Sequence, residues 1–131
     1  MLRITKITDY GFNLLVYMAT QEQEHLHNAK DLAAAIDIPL PTVSKVLKIL
    51  TQGKILTSIQ GSKGGYSLAR PASEITAVEV IEVIEGPVAI TDCSGPVGCD
   101  RNCQVSPVWQ KVNGSIMRSL KELSLADMAQ G

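Results

Sequence analysis

A chain of 131 residues at 45% hydrophobic is sized for one compact domain with its own core and an appended helix. Its net charge of −1 alone argues nothing about nucleic acid. Its longest apolar run, FNLLVYMA, falls far short of the roughly 20 residues of a membrane span. The start, MLRITK, has no extended apolar region behind it. A cytoplasmic protein is therefore expected, with no membrane contact, in a compartment where clustered cysteines mean metal or redox chemistry. Charge is unevenly spread. Residues 1–70 carry eight Lys/Arg against five Asp/Glu, and residues 71–131 carry four against eight. A partner bearing phosphates would sit on the basic half.

In chain order, Thr8 or Asp9 is placed to cap a first helix running to about Thr20, with Ile7, Leu14, Leu15 and Met18 inward. QEQEHLHN reads as a polar connector whose His25 and His27 are surface residues. AKDLAAAI is a short helix with Leu32, Ala33 and Ile36 inward, broken at DIPL because Pro39 cannot continue it. PTVSKVLKILTQG then opens with Pro41 in its first turn and stops at Gly53. Val43, Val46, Leu47 and Leu50 stand at i, i+3, i+4 and i+7, one buried stripe. That leaves Thr42, Ser44, Lys45, Lys48 and Gln52 on the opposite face. Two short helices with a polar, basic outer face on the second describe a helix-turn-helix.

ILTSIQ and YSLAR are β-rich runs around a basic, glycine-rich tip, GSKGG. A hairpin directly after the second helix makes a winged helix. Its tip offers Ser62, Lys63 and two glycines, Gly64 and Gly65, that let backbone approach a phosphate. Thr76 and Glu79 form a capping box for a helix with Ala77, Val80, Ile81 and Ile84 inward, ended by Gly86-Pro87. From Gly86 to about Val105 no period appears. A stretch of that length is commonly functional.

Ser106 is placed to cap a long helix with Pro107 at its first position. Its apolar seam of Trp109, Val112, Ile116, Leu120 and Leu123 calls for a partner helix, so a homodimer is expected. SLADM is a capped terminal turn. The organisation is mainly α: a winged helix-turn-helix with a two-stranded β wing over residues 1–85, a cysteine-bearing segment over 86–105, and a dimerisation helix and turn over 106–131. No nucleophile–base constellation stands out, and GSKGG is too short for a P-loop, so an enzyme is not expected.

All three cysteines, Cys93, Cys99 and Cys103, fall in CSGPVGCDRNC. An odd number cannot all pair. A regulatory disulfide, a structural zinc site and an iron–sulfur cluster are the readings this composition allows, each metal needing a fourth ligand such as Asp92, Asp100 or Asp9.

Across the whole chain, MLRITKITDYG, LPTVSKVLKIL, GSKGGYSLARP and EGPVAITDC resemble the IscR/NsrR-type winged-helix transcription regulators, and most closely the branch that governs iron–sulfur assembly (SUF-type) operons. The resemblance implies double-stranded DNA with a pseudo-palindromic operator as partner, and a [2Fe–2S] cluster (alternatively zinc, or none) held by Cys93, Cys99 and Cys103. The step from Cys99 to Cys103 is shorter than in relatives, and no histidine follows it. NsrR-like members take a carboxylate from the other subunit, which here implies Asp9. Pro41, Thr42, Ser44, Lys45 and Lys48 are implied for the major groove, and Ser62, Lys63, Gly64 and Gly65 for the wing. Relatives often carry arginine where this chain has Gln60, so its wing readout is expected to differ.

Overall fold

In a computed structural model of the chain, residues 4–21, 26–87 and 104–130 are described. Three helices come first, α1 (Lys6–Ala19), α2 (Ala29–Ile36) and α3 (Leu40–Gln52). A two-stranded antiparallel sheet follows, β1 (Leu56–Ile59) with β2 (Gly65–Leu68), and then a 3-10 turn (Ala72–Glu74). Helices α4 (Ala77–Glu85), α5 (Ser106–Glu122) and α6 (Leu125–Ala129) complete the order. This is the mainly helical, winged arrangement expected.

Helix α1 starts one turn earlier than its threonine pattern suggests. Thr5, in extended backbone, accepts from the Thr8 N–H at 3.3 Å, so Thr5 and not Thr8 or Asp9 is the cap. Thr8 is fully buried inside the helix. Its hydroxyl donates to a Glu85 carboxylate oxygen at 2.6 Å, and the Thr5 hydroxyl and N–H donate to the same oxygen at 2.6 and 3.1 Å. Two threonines three residues apart can each cap. The carboxylate at the far end of α4 selects the first by engaging both.

Asn28 caps α2 by accepting from the Asp31 N–H at 2.8 Å, and Asp37 ends it in the left-handed region at φ 56. On α3 the stripe Val43, Val46, Leu47 and Leu50 is fully buried, with Leu14, Leu15 and Leu32 around it. Gly53 follows α3 at φ −82, and the left-handed residue of this turn is Lys54, at φ 64. Glycine is therefore not needed at 53 for backbone geometry. A Cβ there would lie 2.4 Å from Val83 Cγ1, so the position is a socket for α4.

The sheet pairs Leu56 with Leu68 and Ile59 with Gly65. The connector before α2 joins it. His27 and Tyr66 exchange backbone hydrogen bonds of 2.9 and 2.7 Å, and the His27 ring meets the edge of Tyr17 at 5.9 Å. His27 is 6% exposed. The surface placement expected for it is thereby corrected: backbone pairing with the wing carries it inside. His25 lies outside the described residues.

The Thr76–Glu79 capping box is present. The Arg70 guanidinium donates to Glu79 and to the Glu74 carbonyl, tying the wing's exit to α4. Partial burial pushes the Glu79 carboxyl up, but Arg70 and Thr76 outweigh that and hold it below its ordinary value. Helix α5 begins with Val105 in the cap position, so Pro107 stands second in the helix and Ser106 first. The terminal turn does not extend α5. Ser124 and Asp127 form a second capping box. Leu123 and Ile75 carbonyls accept from Ala77 and Leu125 N–H groups at 2.8 and 2.9 Å. Leu125, fully buried, belongs to the same core as α1 and α3. Residues 124–130 thus complete the winged-helix body.

Leu125→Ala should cost about 2–5 kcal/mol in urea unfolding; an unchanged midpoint would show the terminal turn to be dispensable. The Thr5 and Thr8 hydroxyls hold Glu85 below its ordinary value of 4.5. A carboxyl so depressed stabilises the fold above that value and loses its contribution as pH falls through the lowered one. Thermal melts taken down through pH 4.5 should show Glu85→Gln losing less stability on acidification than the wild type.

Candidate nucleic-acid interface

Burying one stripe of α3 fixes what the other side presents. Pro41, Ser44, Lys45, Lys48 and Gln52 are exposed, and Thr42 is half-buried. The first turn of α3 contains no acidic residue and its cap position, Pro39, makes no side-chain bond. The positive end of the helix dipole is accordingly unopposed by carboxylate. Among the described residues the one ion pair is Arg70–Glu79, so Lys45 and Lys48 are uncommitted. Leu40 is exposed as well. By spacing it extends the buried stripe one turn earlier, yet as the first helical residue it is 43% exposed.

At the wing, Gln60, Ser62 and Lys63 are exposed. Gly64 and Gly65 have reasons of their own to be glycine. A Cβ at Gly64 would sit 1.9 Å from the Ile59 carbonyl oxygen, and one at Gly65 would sit 2.7 Å from the His27 oxygen. The hairpin and its connector bridge require both, independently of any phosphate. Ile59, opposite Gly65 and so without a cross-strand side chain, is 52% exposed. An open groove of about 290 Å³ runs between the wing and the start of α2, bordered by Asn28, Ala29, Ser58, Gln60 and Tyr66 among others. Exposure of Leu40 and Ile59 carries no sequence signal, since each sits in an apolar pattern that reads as core.

Helix α5 packs on α4, and Asn113, 8% exposed, is the most buried of its described side chains. The apolar seam points elsewhere. Val105, Val108, Trp109 and Val112 are between 37% and 57% exposed, Ile116 and Leu120 are half-buried, and Leu123 is exposed again.

Asp9 lies exposed in the first turns of α1, next to Thr8 and its Glu85 contact. Asn13 donates to its carbonyl at 2.8 Å and touches its carboxylate at 3.4 Å. The carboxylate is thus open to another ligand. Cys93, Cys99, Cys103, Asp92 and Asp100 lie outside the described residues. Among the described residues no group of three or more His, Cys, Asp or Glu gathers to hold a metal. No helix among them is long and apolar enough to cross a membrane.

Comparison with known proteins gives this geometry a family. A family model described as Rrf2, an iron-dependent transcriptional regulator, matches residues 4–131. A Mycobacterium tuberculosis protein named as an HTH-type transcriptional regulator is 32% identical over 138 residues, covering 99% of this chain and 83% of its own. The HTH-type transcriptional regulator NsrR of Oceanobacillus iheyensis is 28% identical over 131 residues, covering 97% and 89%. Among solved structures, CymR, the global cysteine regulator of B. subtilis, superposes at a TM-score of 0.83 with 24% identity, covering 99% of this chain and 98% of that one. IscR of T. potens superposes at 0.77 with 26% identity, covering 98% and 87%. With its wing, its helix-turn-helix and a match over nearly every residue, the chain belongs to the Rrf2 family of transcriptional regulators.

Proposed function

We propose that the chain is a homodimeric DNA-binding regulator that senses iron–sulfur status, oxidants or nitric oxide through a [2Fe–2S] cluster, and that it controls iron–sulfur assembly genes. One observation carries the reading. A single chain joins a winged helix whose recognition face is free of carboxylate pairing to a segment, between α4 and α5, holding every cysteine it has. The family model's description as iron-dependent supports the choice of metal.

The donor set suits the cluster. Cys93, Cys99 and Cys103 supply soft thiolates, and Asp9 of the partner subunit, whose equivalent here is exposed and weakly held, supplies the fourth ligand. A bound cluster offers a group that oxidants and nitric oxide destroy, and so a signal. The protein's own part is to couple that segment to the spacing of two recognition helices. Pro41, Thr42, Ser44, Lys45 and Lys48 enter successive major grooves, and Gln60, Ser62, Lys63, Gly64 and Gly65 lie along the adjoining backbone or minor groove. A two-fold dimer through Trp109, Val112, Ile116, Leu120 and Leu123 makes the operator pseudo-palindromic.

A second reading rests on the short step from Cys99 to Cys103 and on the likeness in fold to CymR: a thiol switch without iron. Metal analysis after anaerobic purification separates the two. About two irons and two acid-labile sulfides per chain, lost in Cys99→Ala, are expected for a cluster. Zinc alone, or no metal, would reject it. On selected operator DNA, Lys45→Ala should weaken binding and lower the salt slope by about 1; an unchanged slope would move the recognition face elsewhere. Val112→Glu should yield monomers in sedimentation, and a dimer that survives it would clear α5 of that role.

A further inference from the structure

Three consecutive residues end α4, and each seats on a different part of the recognition unit. Val83 occupies the space a side chain at Gly53 would need, with its two methyls 2.4 and 2.8 Å from the Cβ that would stand there. Gly53 closes α3. Ile84 does the same at Gly11, 2.7 Å from the would-be Cβ, with Val46 of α3 at 3.6 Å from the same point. Glycine is the poorest helix former after proline, so its presence in the middle of α1 answers to Ile84. Glu85 accepts three hydrogen bonds from Thr5 and Thr8 at the start of α1. One helical turn thus touches the start of α1, its middle beside the centre of α3, and the end of α3.

Immediately after this turn the chain changes direction. Gly86 has φ 92, which favours glycine, although its Cβ position is empty space. Pro87 follows, and residues 88–103, with all three cysteines, come next. The cysteine segment is thereby joined to the turn by only two residues, of which Pro87 has its φ fixed by its ring. Packed interiors have little give, and a displaced side chain moves its neighbour rather than a void.

We propose that Val83, Ile84 and Glu85 are positioning residues that relay the state of the cysteine segment to α3, with Glu85 gripping α1 and the two aliphatic side chains setting where α3 sits against it. This rests on the sensor reading above. It adds the route, through the α4 turn and the two glycine sockets.

The experiment measures affinity for selected operator DNA twice for each protein, once as isolated anaerobically and once after ferricyanide and EDTA have stripped its iron. Wild type should show a ratio of about 5- to 150-fold between the states. Glu85→Ala should bring that ratio toward one by roughly 2- to 30-fold, while Glu85→Gln, which keeps an oxygen acceptor, should retain most of it. Thr8→Val, nearly isosteric but without the hydroxyl, removes one of the three hydrogen bonds and should lower the ratio less than Glu85→Ala does. Glu85 is exposed, so its variants remain testable even if the buried Thr8→Val fails to fold. Loss of packing alone would lower the melting temperature without moving the ratio. A full wild-type ratio in folded Glu85→Ala overturns the relay and leaves the sensor standing. A ratio of one in the wild type overturns the sensor and the relay with it.

Discussion

The rest of the structure depends on burying one stripe of α3. Val43, Val46, Leu47 and Leu50 have no accessible surface, and four elements share the covering: α1, α2, β1 and α4. Side chains of this size gain roughly 1.5–3 kcal/mol each when fully buried, so the rotation of α3 about its axis is strongly determined. The orientation of Ser44, Lys45 and Lys48 follows from it. None of the three is held by a partner of its own; the face toward solvent is ordered from behind. Coupling of the kind proposed above would enter α3 from behind, where Val83 and Ile84 lie.

The C-terminal third is arranged by a second constraint, a mismatch in length. Helix α4 has nine residues and α5 has 17, about 13 and 25 Å at the usual rise. Backbone bonds from Ala77 to Leu123 and from Leu125 to Ile75 fasten the end of α5 to the start of α4. With its end fixed there, α5 outruns α4 by about two turns. The surplus is its N-terminal half, where Val105, Val108, Trp109 and Val112 stand exposed. An apolar ridge of this kind is costly in water unless another surface covers it. The capped return of α6 therefore does two things at once: it closes the core with Leu125 and it holds out the ridge that a second subunit would cover.

Local rules were readable where the interaction was local. The two capping boxes, the limits of α2 and the buried stripe of α3 each depend on residues within one or two turns, and they stand where spacing puts them. One failure is local, a shift of the α5 cap from Ser106 to Val105; the others are long-range. Choosing Thr5 over Thr8 as the cap requires Glu85, 80 residues on. Burying His27 requires Tyr66, and making Gly53 obligatory requires Val83. Gly53 shows how a right boundary can rest on a wrong reason, because the usual left-handed role belongs to Lys54. Of the candidate interface, the exposure of the lysines and of the wing tip was legible from type and pattern. The reasons for Gly64 and Gly65 were not, since both lie in backbone contacts that only the folded hairpin creates.

Charge explains why the placement of α3 matters so much here. The chain carries −1 overall, and its exposed lysines around the helix-turn-helix and wing are Lys30, Lys45, Lys48, Lys54 and Lys63, with Asp31 and Asp37 among them. Affinity for DNA without regard to sequence grows with the number of phosphates neutralised. A subunit with so few cations gains little from that source, and in the proposed dimer tight binding would come from two recognition helices meeting two half-sites together. Such binding is sensitive to geometry, because a helix displaced by a fraction of a base-pair step loses contacts at both ends of the operator. A strongly basic protein would stay bound through its phosphate contacts after the same displacement. A nearly neutral one would let go, so under the proposed function the modest charge of this chain would convert a small movement of α3 into a large change in occupancy.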